Sequence, residues 1–233
     1  MENLAKQVKI LKIYAAVLTL VILALVVYVF TLNGSHYKEL TAERINIIEK
    51  NGALKMVISN SDRQHPGRMD NKDFPKRGRP PGIIFFNDEG DEDGGLVYDG
   101  NKNGAGMVYS FDQYKNDQIM QLRYEQEKQG NKLYRNYGLN IWDRDDFGLT
   151  KQLAYYDSLE RLHDTAALNA GIKKLKAAGH THQRFFAGMN DKGEVGLFLN
   201  DSNGKPRLNI YINKQNQPVI ETLDENGKVV GSK

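Results

Sequence analysis

The stretch that decides the fold class is residues 190 to 230, "NDKGEVGLFLNDSNGKPRLNIYINKQNQPVIETLDENGKVV". Its turn sequences are NDKG (190–193), DSNG (201–204), NKQNQ (213–217) and DENG (224–227), and short alternating runs such as RLNIYIN separate them. A turn about every 10 to 12 residues is typical of successive antiparallel strands. Because Asn-Gly and Asp-x-x-Gly turns reverse the chain tightly, the spacing favours a β-meander over the rungs of a β-solenoid.

The same pattern extends towards the N-terminus. RINIIE (44–49) and LKMVIS (54–59) alternate around the turn KNG, which predicts a β-hairpin. Further strand candidates are GIIFF (82–86), GLVYDG (95–100), AGMVYSFDQY (105–114), QIMQLRYEQ (118–126) and YGLNIWD (137–143). We therefore expect a mainly β domain over residues 44–233, arranged as an antiparallel meander with a barrel-like or sandwich-like form.

One helical insert is predicted within the strands, over about residues 149–179. Its apolar residues recur at spacings of three and four, at Leu149, Leu153, Tyr156 and Leu159 and again at Leu168, Ile172 and Leu175. Gly171 weakens the middle of the segment and Gly179 suits a C-cap. The pattern predicts one kinked helix or two short ones.

The N-terminal segment predicts a membrane anchor. Residues 13–32, "IYAAVLTLVILALVVYVFTL", contain no charge and no helix breaker. At about 1.5 Å per residue they cover the roughly 30 Å hydrocarbon core, and the run is longer than the apolar part of a cleaved signal peptide. We predict a cytoplasmic tail (1–12), a single-pass signal anchor (13–32) and a stalk (33–43).

The charges beside the span predict its orientation in the cell membrane. Lys6, Lys9 and Lys12 precede the span, whereas Lys38 and Arg44 follow it more sparsely. This bias favours a cytoplasmic N-terminus and an extracytoplasmic C-terminal domain. A tail of about a dozen residues is too short for a folded output domain, which argues against a self-contained receptor.

Composition excludes several classes of function. The chain has no cysteine, so disulfides, thiolate metal sites and thiol nucleophiles are excluded. Its net charge of +3 gives no indication of nucleic-acid binding. Apolar residues spaced three and four apart lead into the span and suggest a homo-oligomer: Leu4, Val8, Leu11, Ala15 and Leu18.

An acidic turn is the first candidate site. Glu89, Asp91 and Asp93 alternate before Gly94, as oxygen ligands do at the start of a calcium loop. The rest of the EF-hand pattern is absent, because Gly100 stands where a bidentate Glu is required. Two interpretations stay open: a calcium site outside the EF-hand class, with Asp88 or Asp99 assisting, or a solvated acidic turn.

Two further candidates lie later in the chain. His180 and His182 alternate and would share one face of a strand, a pair able to bind a transition metal or simply two polar residues at a helix-to-strand junction. In WDRDD (142–146), Asp143, Asp145 and Asp146 could supply an acid and a base for glycan or peptide hydrolysis. The chain lacks the G-x-S-x-G, Walker, H-E-x-x-H and dinucleotide-binding motifs.

The loop at residues 59–82 has no apolar periodicity and a net charge of +3. Its basic residues are Arg63, Arg68, Lys72, Lys76, Arg77 and Arg79. Loops this long are usually disordered or functional. The loop is therefore interpreted either as mobile and solvated or as a contact surface for an anionic partner such as lipid headgroups, glycan or a neighbouring protein.

The repeated strand, D/N-x-x-G, strand pattern behind one membrane anchor resembles uncharacterised bacterial single-pass membrane-anchored β-repeat proteins. The resemblance covers much of residues 44–230 and implies a fold, not an activity. We expect a non-enzymatic binding or scaffold protein whose partners are the lipid bilayer and other membrane or envelope proteins, as in an accessory subunit of a membrane complex. The alternative is a surface hydrolase acting on glycan or peptide. No cofactor is expected beyond the calcium considered above.

Overall fold

The structure is a computed structural model that describes residues 2–31 and 37–232. It divides into two compact units, Met1–Ala42 and Glu43–Lys233. The first unit contains the helix α1 (Glu2–Thr31), which is long and apolar enough to cross a membrane. Leu32, the last residue of the predicted span, and residues 33–36 of the predicted stalk lie outside the described residues. The anchor's orientation stays a prediction.

The second unit is mainly β, as the alternation predicts. Its strands are β1 (Arg44–Ile48), β2 (Leu54–Ser59), β3 (Arg68–Met69), β4 (Lys72–Asp73), β5 (Gly82–Phe86), β6 (Glu92–Asn101), β7 (Gly104–Asp112), β8 (Gln118–Gln129), β9 (Lys132–Arg144), β10 (Thr181–Met189), β11 (Val195–Asn200), β12 (Pro206–Ile212), β13 (Pro218–Leu223) and β14 (Val229–Ser232). All but β3 and β4 form one 12-stranded sheet.

The order of the strands in the large sheet follows the chain, and every neighbouring pair is antiparallel. The predicted meander is thus confirmed. The sheet is open, with β1 and β14 at its edges, so of the predicted forms neither the barrel nor the sandwich is adopted within the described residues. β3 and β4 form a separate two-stranded ribbon.

The turns between the last strands share one hydrogen-bond pattern. The side-chain oxygen of the first turn residue accepts the backbone N–H groups two and four residues later, at Asn190, Asp201, Asn213 and Asp224. Asn87 does the same in the β5–β6 turn. This pattern explains why Asn or Asp begins each turn, since only their short side chains reach those donors.

The helical insert consists of two short helices, α2 (Leu149–Glu160) and α3 (Thr165–Ala178). The break lies before Gly171, at Asp164, whose carboxylate accepts the N–H groups of Ala166 and Ala167 and caps α3. Gly171 instead permits contact between the helices, because a Cβ there would lie 2.1 Å from Leu159 Cδ1. Gly179 follows α3 with φ +69°, as predicted for a C-cap.

The small buried core lies at the N-terminal end of the sheet. Val57, Ile84 and Phe86 form its centre on one sheet face. The basic loop contributes further buried residues, among them His65 and Met69, and contains the β3–β4 ribbon. His65 packs edge-on against Phe86, with ring centroids 4.7 Å apart. The interpretation of this loop as mobile and solvated is therefore wrong for the part that packs on the core, at His65 and Met69.

Candidate functional site

The acidic turn surrounds a lysine from another hairpin. The ammonium of Lys115 lies 2.5 Å from Asp91, 2.8 Å from Glu89 and 3.0 Å from Asp70. Asp91 is fully buried, and its second oxygen, Oδ1, has no hydrogen-bond partner among the described residues. Two of the three predicted calcium ligands thus contact a cation supplied by the chain, while Asp93 lies exposed on β6.

The charges of this cluster stabilise one another. The hydrogen bond to Asp91, followed by those to Glu89 and Asp70, raises the pKa of Lys115. The same ammonium lowers the pKa of the Glu89 carboxyl. In the part of the chain that the structure describes, no group of three or more His, Cys, Asp or Glu has the geometry of a metal site. Calcium binding by Glu89, Asp91 and Asp93 stays a prediction.

Two of the three residues proposed for hydrolysis contact basic side chains. Asp143 pairs with Arg184, and Asp145 Oδ2 lies 2.6 Å from His180 Nδ1. The hydrogen bond from His180 lowers the pKa of Asp145, which keeps that carboxylate ionised. The imidazole also stacks on Phe147, with ring centroids 4.3 Å apart. Asp146 is exposed, and the acid and base roles of these aspartates stay predictions.

The basic loop makes several internal contacts. Arg79 holds Glu92 through two hydrogen bonds of 2.7 and 2.8 Å, and Arg68 binds Asp73 at 2.5 Å. Arg77 donates to the Pro66 carbonyl and lies over the Phe74 ring. Lys72 and Lys76 are exposed and border a cleft against α2. Binding of an anionic partner by this loop stays a prediction.

That cleft, of about 880 Å³, contains a titratable group that the sequence did not indicate. Asp112, at the end of β7, lies at the cleft with its Oδ1 buried and without a hydrogen-bond partner among the described residues. Burial, with the negative charges of Glu92 and Asp117, raises its pKa to about 8. The carboxyl is therefore protonated at neutral pH and able to donate a hydrogen bond.

The largest candidate surface is one face of the sheet, which we call the apolar face. Residues directly opposite in antiparallel strands point to the same side, so the register defines its rows. The central row is Ile45, Ile58, Ile83, Leu96, Tyr109, Leu122, Leu139, Ala187, Leu197, Ile210 and Ile220. This row runs through every strand of the large sheet except β14.

Two flanking rows extend the apolar face. The first is Ile47, Met56, Phe85, Gly94, Phe111, Met120, Ile141, Phe185, Leu199, Leu208 and Thr222. The second is Tyr98, Met107, Tyr124, Tyr137, Met189, Val195, Ile212 and Pro218. None of the three rows contains a charged residue.

The apolar face is open in the single chain. Leu122 is 58% exposed, Met107 47% and Ile220 45%. The opposite face carries most of the buried side chains, including Val57, Ile84 and Phe186. Sheets ordinarily bury their apolar side against a second layer, and here the apolar side is the uncovered one. This arrangement can bind another apolar surface.

Comparison of the chain with protein-family models, with curated proteins and with solved structures finds no match.

Proposed function

We propose that this protein is a non-enzymatic scaffold anchored by α1 in the cell membrane, with the β-sheet outside the cytoplasm. The scaffold assembles by packing its apolar face against the same face of a second copy, and the resulting pair serves as an accessory unit of a membrane complex. The observation that carries the proposal is the uncharged apolar face that extends from β1 to β13.

The size of the apolar face suits a stable dimer. With strands about 4.8 Å apart and alternate residues about 7 Å apart, three rows over these strands cover roughly 700 to 1,000 Å². Two copies would together bury on the order of 1,400 to 2,000 Å², which is the range of specific protein interfaces. Even half of that contact would remove several large side chains from water, each worth about 1.5 to 3 kcal/mol when fully buried.

The chemistry of the apolar face favours a second sheet over a lipid surface. Faces that lie on membranes usually combine apolar residues with Lys and Arg, and the three rows contain neither. Neighbouring strands also twist by about 20 to 25°, so a sheet of this width cannot lie flat on a planar bilayer. A second copy has the same twist, and two such sheets pack with their strands nearly aligned.

Site-specific crosslinking in membranes tests the proposal, because the chain has no native cysteine. We would introduce Leu122→Cys or Ile210→Cys on the apolar face and treat native membranes with a short bismaleimide. The matched control is Glu125→Cys, which lies on β8, the same strand as Leu122, but points to the opposite face. We expect a covalent homodimer from the first two variants and only monomer from the control.

A second variant checks that the dimer depends on apolar contact. Leu122→Glu replaces an exposed side chain, so the single chain should fold normally while the contact between copies is lost. We expect that Leu122→Glu, combined with Ile210→Cys in one chain, abolishes the crosslinked dimer that Ile210→Cys alone gives. Exclusive capture of a different protein, labelling by lipid-soluble probes without a dimer, or equal dimer yield from Glu125→Cys would each overturn the pairing of two copies.

A further inference from the structure

The other face of the sheet contains a polar groove, of about 660 Å³, over strands β8 to β13. Pockets of this size hold ligands the size of a short oligosaccharide. Gly138, Gly188 and Gly196 are paired side by side on β9, β10 and β11, and each lies midway between two residues that line the groove. Arg123 and Tyr211 continue the same row at its two ends. This row across the strands has no side chains at its centre and large side chains at both ends, so the surface forms a trough.

Aromatic side chains form one side of the polar groove. The Phe186, Phe198 and Tyr211 rings follow one another, with centroids 5.8 Å apart and planes inclined by 24° and 23°. The glycines make room for these rings, since a Cβ at Gly138 would lie 2.8 Å from Phe186 Cε2 and one at Gly196 2.5 Å from Tyr211 Cβ. Aromatic surface lining a groove provides contact for the C–H groups of a ligand.

Polar groups with unused hydrogen-bonding capacity border the same groove. Asn140 is only 7% exposed, and its Nδ2 has no partner among the described residues, although its Oδ1 accepts a hydrogen bond from Gln183. Arg123 Nε is likewise without a partner in the described chain. Buried donors are almost always satisfied in folded proteins. The groove thus presents donors to whatever occupies it.

The groove also presents acceptors, and its charges balance. The carboxylate of Glu221 lines the groove and accepts hydrogen bonds from Asn209 and Tyr211. Arg123 and Lys192 contribute two positive charges, and Glu194 and Glu221 contribute two negative ones. Because the charges of these lining residues cancel, the groove has no net attraction for an anion or a cation. Hydroxyl groups both donate and accept, so a neutral ligand rich in hydroxyls matches amides, guanidinium and carboxylate together.

We infer that the polar groove binds a neutral oligosaccharide, whose ring C–H groups lie on Phe198 and Tyr211 and whose hydroxyls bond Asn140, Arg123 and Glu221. This activity is separate from the proposed pairing of two copies, because alternate residues of a strand point to opposite faces. A second copy on the apolar face leaves the polar groove open.

The chain carries its own reporter for this binding. Trp142 is the single tryptophan, and it borders the groove. We would titrate the full chain, in a detergent without a sugar headgroup, with N,N′,N″-triacetylchitotriose, maltotriose and cellotriose, and follow the Trp142 emission. Trigalacturonate and inorganic phosphate serve as anionic probes. At least one neutral trisaccharide should give a saturable change in emission, and neither anionic probe should.

Two variants locate the site. Phe198→Leu keeps an apolar side chain but removes the aromatic surface, and should weaken binding about tenfold, while Phe198→Tyr should restore it. The control Leu197→Ser changes the adjacent residue, which points to the apolar face, and should leave affinity unchanged. Far-UV circular dichroism checks that each variant is folded.

Three results would overturn the inference: no response to any of the neutral trisaccharides at millimolar concentration, an equal response to an anionic probe, or unchanged affinity in folded Phe198→Leu. The dimer-breaking Leu122→Glu variant should bind the trisaccharide normally, so loss of pairing and loss of glycan binding are distinguishable.

Discussion

Replacement of Asp112, whose Oδ1 is buried, by asparagine should change how stability depends on pH. The carboxyl lies at the cleft beside α2, and burial raises its pKa from 3.8 to about 8, with further contributions from Glu92 and Asp117. Between these two values the folded chain holds a proton that the unfolded chain has released. The folded state therefore binds more protons there, and stability falls as the pH rises from about 4 to about 8.

The size of the effect follows from the two pKa values. Each pH unit in this window costs about 1.4 kcal/mol of stability, so the whole interval corresponds to on the order of 5 kcal/mol. Below about pH 4 both states are protonated, and above about pH 8 both are ionised, so the contribution is constant outside the window. Asparagine has nearly the same shape and never ionises, so Asp112→Asn removes the loss of stability between about pH 4 and about pH 8.

Urea unfolding of the full chain in detergent micelles, followed by Trp142 emission at several values between about pH 5 and pH 9, measures the effect. We expect Asp112→Asn to gain stability over wild type progressively as the pH rises. The control Asp146→Asn removes an exposed carboxylate. Other titrating groups, such as His65, whose pKa burial lowers, are common to both proteins and cancel in the difference. A difference that is constant across the pH range would refute the assignment.

Three further predictions follow from contacts described above. Lys115→Ala should lower the thermal midpoint, because it leaves the buried carboxylate of Asp91 without its cation. The midpoint of this variant should be higher with added calcium than with a chelator, and equal midpoints under these two conditions would argue against a cation site there. Gly196→Ala should destabilise the sheet by about 1 to 3 kcal/mol, since its Cβ would lie 2.1 Å from a backbone oxygen. In the control Gly106→Ala the Cβ meets its nearest neighbour at 3.6 Å, so equal urea midpoints for the two variants would contradict this prediction. His180→Ala should raise the pKa of Asp145 by removing the hydrogen bond that lowers it, and a carboxyl ¹³C titration by NMR that is unchanged would show the pair to be absent in solution.

Local patterns in the sequence were sufficient for most elements of the large sheet and for their order, but they did not predict the β3–β4 ribbon within the basic loop. The meander followed from turns whose first Asn or Asp accepts hydrogen bonds from donors two and four residues later, as at Asp201, which is a contact within the turn itself. The helix pair was likewise indicated by spacing, although its break is at Asp164 rather than at Gly171. Interactions between residues close in sequence are the ones that a pattern can report.

The sites depended on contacts between distant residues. Lys115 enters the acidic turn from a separate hairpin, 24 residues after Asp91, so the turn alone looked like an empty cation site. The polar groove combines residues of β8 to β13, and only the strand register places Arg123 beside Gly138. Register is set by pairing along whole strands, and a shift by one residue would exchange the two faces of the sheet. Sequence alternation defined each strand's apolar side without showing which side the loop and helices would cover.

The chain covers part of one face of its sheet with its own residues and leaves the other face open. On the face opposite the apolar face, the basic loop covers the core residues of the β5–β6 region through buried Met69 and His65. The chain's own covering segment therefore lies on that side. Among the described residues of the second unit, no segment covers the apolar face, although that face contains most of the sheet's large aliphatic side chains. In the proposed dimer, a second copy supplies the missing layer for the apolar face without touching the groove, whose Asn140 amide lies on the opposite face. The proposed pairing and the proposed ligand binding are therefore compatible in one single-layer sheet, because the alternation of its strands places them on opposite faces.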